Sequence, residues 1–222
     1  GCSKKGKGKR TLKGLSTEAV KNKKASLGWI CRKVRERAVK MIGKRGRVLD
    51  LGCGNGLFLA MLGLKGFDKS RVVGIDLSLD LLNEAETVFS SNGQEGIPLI
   101  KGDFFNTPFK DGTFDSIVSL NTVVNLEDVD LERLLKEVAR VLGPSGRIYL
   151  DIRNGDNPFI RWRYLQSSRK RILLVRGYRL NEFRERLKTI GLNVSRIEYI
   201  GFKTKTLALA YLLEIRLDCQ TI

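Results

Sequence analysis

Asp50, Asp76 and Asp103 each stand in or at the end of a short apolar run, where a strand gives way to a loop. The first sits in Val48-Leu49-Asp50-Leu51-Gly52-Cys53-Gly54-Asn55-Gly56, and Leu57 to Leu62 then follows as a helix-forming stretch. The glycines supply a tight turn where only hydrogen fits, and the turn brings backbone N–H groups and a helix N-terminus against a ligand. The spacing selects among ligands. A dinucleotide fingerprint needs glycine at position 57, where this chain has Leu57; Gly52, Gly54 and Gly56 follow G-x-G-x-G instead. Asp76 closes a second apolar run, Val72 to Ile75, and is placed to accept hydrogen bonds from both hydroxyls of a ribose. Asp103 follows a third run, Ile97 to Ile100, through Lys101 and Gly102.

These acids need a frame. Strands alternate with helix-forming stretches along the chain. Phe114 to Asn121 reads as a fourth strand, Leu134 to Leu142 as an amphipathic helix, Gly143 to Gly146 as a turn and Arg147 to Ile152 as a fifth strand. Tyr178 through Gly191 reads as a further helix, followed by two β-rich stretches, 193–200 and 206–217. This alternation predicts a parallel α/β sheet whose ligands lie at the carboxyl ends of its strands.

The Asp-x-Gly-x-Gly-x-Gly run, with the acids after the second and third strands, resembles the class I S-adenosylmethionine-dependent methyltransferases, and the matches cover residues 47–154 in order. The resemblance implies a doubly wound, mostly parallel seven-stranded sheet with helices on both faces and the last strand inserted antiparallel. It implies S-adenosylmethionine as cofactor, with S-adenosylhomocysteine as product. The cofactor set is then Asp50, Gly52, Cys53, Gly54, Asn55, Gly56, Asp76, Leu77, Gly102, Asp103, Phe104 and Asn121. Taken singly, several of these have plainer readings. Asp76 is a helix cap candidate, Asp103 a turn residue, and Asp115 closes the Lys110–Thr113 turn.

Methyl transfer asks mainly for in-line placement of a nucleophile, because the sulfonium is already activated. A base is needed only where the acceptor loses a proton early. Catalytic candidates near the expected methyl position are Asn121, Asp151 and Tyr178; Asn125, Arg153, Arg161, Trp162 and Arg163 are substrate candidates. The chain has no histidine, which excludes a histidine base and any histidine-ligated metal. Cys2, Cys31, Cys53 and Cys219 form no C-x-x-C pair, so no metal site is expected. The fourth strand lacks an Asn/Asp-Pro-Pro-aromatic sequel and the chain has no Pro-Cys dipeptide, which disfavours the usual nucleobase chemistries.

The net charge of +17 is concentrated in two places. Residues 1–47 carry 17 Lys and Arg against two acids, and residues 153–188 carry 11 against three, whereas residues 48–152 are acidic overall. The chain thus reads as a basic flexible arm, 1–15, and one domain, 16–222. Within that domain, 16–46 is a helical cover and 153–180 a basic substrate lid. In the cover, Leu27 to Ile42 shows helical spacing, with Arg32, Lys33, Arg35, Arg37 and Lys40 expected to face outward. In the lid, arginines alternate with Phe159, Trp162 and Tyr164. That pattern suits RNA, an anionic membrane surface or a merely solvated lid. The acceptor is expected to be small or lipid-like; an RNA methyltransferase and a non-catalytic scaffold of the same fold are the alternatives. No apolar run reaches the roughly 18 residues of a membrane span, and the basic start lacks an apolar core, so a cytoplasmic protein is expected, with peripheral membrane attachment as the alternative.

Overall fold

The computed structural model describes residues 28–126, 128–169, 177–202 and 204–218. The arm 1–15, the start of the cover and residues 170–176 of the lid lie outside them.

The strands are β1 (Val48–Leu51), β2 (Val72–Asp76), β3 (Leu99–Lys101), β4 (Phe114–Ser119), β5 (Leu142–Asn154), β6 (Gly177–Tyr178), β7 (Leu192–Ile200) and β8 (Ala210–Leu217). The helices are α1 (Gly28–Met41), α2 (Leu57–Leu64), α3 (Leu79–Asn92), α4 (Asp128–Val141), α5 (Pro158–Arg169) and α6 (Leu180–Lys188). Seven strands run in the order β3-β2-β1-β4-β5-β8-β7, and the two-residue β6 pairs with the end of β5. β3, β2, β1, β4 and β5 are parallel; β8 is antiparallel to both β5 and β7. The strand order reverses at β1, between β2 and β4. Ligands of open α/β sheets bind at such a switch point.

Alternation along each strand divides the core in two. Val48, Val118, Tyr149 and Leu212 pack under α1, α2 and α3, and Leu49, Ile117, Ile148 and Leu213 under α4 and α6. By the same parity Asp50, Asp151 and Arg153 fall on the α1 face, at the carboxyl ends of β1 and β5. β1 is buried throughout, as expected of a parallel strand covered on both faces. Ile30, Val34 and Ala38, four apart on α1, are fully buried, and about 2 kcal/mol for each large side chain holds this helix against the sheet. The Gly143–Gly146 turn is looped out within β5, between the Phe114–Leu142 and Ser116–Arg147 pairs. No helix among the described residues is long and apolar enough to cross a membrane.

Candidate functional site

The loop joining β1 to α2 is shaped by three left-handed glycines, each for a different reason. Gly52 (φ 73°) and Cys53 both donate backbone N–H bonds to the Ile75 carbonyl, at 2.9 and 3.1 Å, which ties the loop to β2. A Cβ at Gly52 would lie 2.6 Å from Thr122 Oγ1, and one at Gly56 (φ 67°) would lie 2.8 Å from Ala85 Cβ and from the Phe89 ring. Gly54 differs: nothing stands within 4 Å of the Cβ position, so its bareness opens the loop outward. Cys53 is buried beneath the loop, and burial raises its thiol pKa, consistent with packing rather than reactivity.

Asp76 braces this loop. Its Oδ2 accepts the Gly54 N–H at 2.8 Å and its Oδ1 the Ser78 N–H at 2.9 Å, which leaves further lone pairs on both oxygens. The helix cap is Ser78, whose Oγ accepts the Leu81 N–H. Leu77 is 53% exposed beside the carboxylate. Gly102 N–H reaches the Asp76 carbonyl at 3.1 Å, so the third loop hangs from the second. Asp103 is exposed and accepts the Phe105 N–H at 2.8 Å, and Phe104 packs against the Phe105 ring. This loop is latched from behind by Glu137, which is buried on α4. Its Oε1 accepts the Thr107 N–H (2.8 Å), the Thr107 hydroxyl (2.5 Å) and Arg140 (2.7 Å). Burial pushes the Glu137 carboxyl up, but the bonds from Arg140 and Thr107 outweigh it and hold it at about 2.

The third cluster joins α1 to the ends of β4 and β5. Asn121 is the one non-glycine residue with positive φ (62°) among those described. Asp151 is fully buried; its Oδ1 accepts the Asn121 N–H at 2.6 Å and its Oδ2 pairs with Arg153. Arg153 also donates to Asn121 Oδ1 at 2.6 Å, and Cys31 of α1 donates to the same oxygen at 3.1 Å. Nearby, a cavity of about 40 Å³ is lined by Arg35, Asp50, Gly52, Asn55, Leu57 and Asn121, among others. Asp50 is buried, and its Oδ2 has no hydrogen-bond partner. Burial and then the Asp76 charge raise its carboxyl to about 7, with Arg35 acting in the opposite sense.

Three expectations change. Arg35 does not face outward: it is half-buried, within electrostatic reach of Asp50 and Asp151. Its place is legible only in retrospect, since Cys31 and Arg35 each follow a stripe residue, Ile30 and Val34, and so flank the buried face. Tyr178 lies on β6 and packs edge-on to Phe183 in the core beneath α6, away from the α1 face. Packing of the helix that begins at Leu180 fixes it there. Asp115 accepts the Arg47 N–H at 2.8 Å and braces the entry to β1; the Lys110–Thr113 turn is closed by Thr113 itself. Arg161 and Trp162 are exposed on α5, and the side chains of Asn125 and Arg163 lie outside the described set. Among the described residues no cluster of three or more His, Cys, Asp or Glu is placed to hold a metal.

A family profile described as a methyltransferase domain matches residues 48–146, the span from β1 into β5. A demethylmenaquinone methyltransferase of Bacillus pumilus (strain SAFR-032) is 32% identical over 119 residues, covering 53% of this chain and 50% of that one. The ribosomal RNA small subunit methyltransferase C of Chromohalobacter salexigens is 34% identical over 119 residues, 52% of this chain and 34% of its own. The chain thus spans half or less of the length of these relatives. The crystal structure of the PH0226 protein from Pyrococcus horikoshii OT3 superposes with a TM-score of 0.69 at 25% identity, covering 89% of this chain and 93% of that one. The profile match spans the glycine loop and all three acids, so residues 48–146 form a methyltransferase domain, and the solved structure carries the same fold over most of the rest of the chain.

Proposed function

We propose that this chain binds S-adenosylmethionine across the carboxyl ends of β1, β2 and β3 and transfers its methyl group to a small, lipid-like acceptor. The observation that carries the reading is the partnerless, buried Oδ2 of Asp50, a residue that lines the same cavity as Arg35. A carboxyl group and a guanidinium lining one cavity match the two charges of a free amino-acid end, and this cofactor presents one. Gly54 leaves the loop floor open for it. Asp76 keeps lone pairs for ribose hydroxyls, Leu77 offers an apolar surface beside them, and Gly102, Asp103 and Phe104 border the adenine position.

The bound cofactor supplies an electrophilic methyl group. The chain supplies placement. Asn121, held in a strained left-handed conformation by Asp151 and Arg153, borders the transfer position, and such strain persists only where the surroundings over-determine it. Asp151 serves as an anchor for Asn121 rather than as a base, since both its oxygens are engaged. The chain has no histidine to act as base, and an acceptor that attacks as a neutral amine or as an anion already formed needs none. The relative named for demethylmenaquinone supports a lipid-like acceptor. The ribosomal RNA relative and the basic stretch 153–188 support a second reading, an RNA acceptor. Salt separates the two, because binding through several phosphates weakens steeply between low and moderate salt.

Calorimetric titration with S-adenosylmethionine and S-adenosylhomocysteine, with NAD as control, tests the cofactor. Micromolar binding of the two sulfur ligands alone is expected, with Asp76→Ala weaker by about 1–3 kcal/mol, the cost of unsatisfied polar groups. No binding of either sulfur ligand overturns the proposal, and unchanged affinity in the variant removes the ribose role.

A further inference from the structure

Behind the transfer cluster, β5 ends in Asn154, and the chain turns through Gly155 and Asp156 into α5. The two asparagines of this turn fasten it to the loop between β7 and β8. Asn154 Nδ2 donates to the Lys205 and Ala208 carbonyls, both at 2.8 Å. Asn157 works in both directions: its Nδ2 donates to the Leu207 carbonyl at 3.0 Å, and its Oδ1 accepts the Phe159 N–H at 2.9 Å and the Ile160 N–H at 3.1 Å. One carboxamide therefore bonds the backbones of both Phe159 and Leu207, residues far apart in sequence. Both asparagines are buried, at 0 and 4% exposure.

What this clamp holds together is apolar and open. Phe159 is 50% exposed, Leu207 53% and Trp162 58%, and the Phe159 and Trp162 ring centroids lie 6.3 Å apart. Phe202, on the same β7–β8 loop, is 58% exposed. Large apolar side chains grouped at a surface mark an interaction site, whereas scattered ones need no explanation. The surroundings give the partner's charge. Arg161, next to Trp162 on α5, and Lys205, two residues before Leu207, are both exposed, and the net charge of the chain is +17.

We infer that α5 and the β7–β8 loop form a docking surface for an anionic lipid bilayer. Phe159, Trp162 and Leu207 enter the headgroup and acyl boundary, and Arg161 and Lys205 meet lipid phosphates. Two observations favour lipid over RNA. An aliphatic side chain, Leu207, stands in the patch and has no stacking use on a base. The patch is also built rigidly by buried asparagines, whereas bases stack on any accessible ring. The surface adjoins the end of β5 that carries Asp151 and Arg153, so a protein seated there has its transfer cluster near the bilayer. The delivery of a lipid-like acceptor rests on the methyl-transfer reading; the docking itself does not.

The test is vesicle co-sedimentation of the full chain with phosphatidylcholine vesicles and with vesicles of equal phosphatidylcholine and phosphatidylglycerol. It is paired with S-adenosylhomocysteine titration as an independent check of the cofactor site. The chain has two tryptophans, so Trp29→Phe leaves Trp162 as the reporter. Binding to the anionic vesicles is expected, with a blue shift of Trp162 emission. The double variant Phe159→Ser with Leu207→Ser should bind vesicles at least roughly tenfold more weakly while retaining its S-adenosylhomocysteine affinity. Vesicle binding equal in the double variant overturns the assignment of the patch, as does absence of binding by the parent chain. Preferential capture of transfer RNA, lost in the same double variant, assigns the surface to RNA and also overturns the proposal. Vesicle binding without any sulfur-ligand binding leaves the docking surface standing and removes the cofactor reading alone.

Discussion

Asp50→Asn isolates the electrostatics of the cavity. Burial first, and the Asp76 charge second, raise the Asp50 carboxyl from 3.8 to about 7, against the pull of Arg35. A folded-state pKa above the unfolded one means that the protonated carboxyl stabilises the fold. That contribution is complete below about pH 4 and is lost as pH rises through about 7. Between about pH 5 and 8 the unfolded chain has already released this proton and the folded one gives it up. The loss across that window is about 3 kcal/mol, taking about 1.4 kcal/mol per unit. For a domain of this size that corresponds to about 6–12 °C in Tm. Asparagine has no proton to lose, so the Tm of the variant minus that of the parent should climb by this amount across the window. Scanning calorimetry of both proteins at matched ionic strength measures it, and titrating groups not coupled to Asp50 cancel in the difference. A Tm difference that stays flat with pH would refute a buried Asp50 with a raised pKa, and with it the account of the cavity. Binding gives the second readout. The variant loses a charged partner for the cofactor's ammonium group, about 1.5–3 kcal/mol, and S-adenosylhomocysteine should bind about 10–100-fold more weakly. A protein made more stable and less able to bind is the behaviour of a residue kept for function.

Two further perturbations probe the frame. Gly56→Ala places a methyl group 2.8 Å from Ala85 and Phe89 at a left-handed φ, so urea denaturation should show a loss of about 2–4 kcal/mol; a loss under about 0.5 kcal/mol would mean that α2 and α3 are not so closely packed. Glu137→Ala strands the Thr107 N–H and hydroxyl and leaves Arg140 with Asp111 as its acidic partner, and should cost about 1–3 kcal/mol, with a weaker S-adenosylhomocysteine complex because the loop bearing Asp103 and Phe104 loosens. The Glu137 carboxyl is held below its usual range, so its contribution is present above about pH 4.5 and is lost as pH falls toward 2. A variant whose stability deficit does not shrink on acidification through that range contradicts the latch.

Much of the machinery is written locally. Val48 to Leu51 is an apolar run bounded by glycines, and a run of that length buried on both faces is a parallel strand wherever it is placed. Gly52 and Gly56 are asked for by the left-handed backbone of the turn itself, although the side chains that a Cβ there would strike, Thr122, Ala85 and Phe89, come from distant segments. Asp76 reaches its place because a strand ends there. The α1 stripe follows from 3.6-residue periodicity alone. The antiparallel placement of β8 came with the family resemblance, since alternation specifies a strand but not its neighbours.

Tertiary structure decided the rest. Periodicity separates a buried face from an exposed one but does not say which polar residue at the edge of that face meets a partner. Arg35 and Cys31 became site residues only when α1 lay across the ends of β1 and β5. Tyr178 left the candidate set because two residues of pairing with β5 turned its ring under α6. In the sequence Asp151 could be a base or a surface acid; the fold buries it and gives its oxygens to Asn121 and Arg153. The sequence by itself determined the strand, the glycine turn and the acids at the strand ends, because these answer to forces acting within about ten residues. The charge on Asp50, the strain at Asn121 and the apolar patch joining Phe159 to Leu207 were set by contacts between distant segments, and those exist only once the chain has folded.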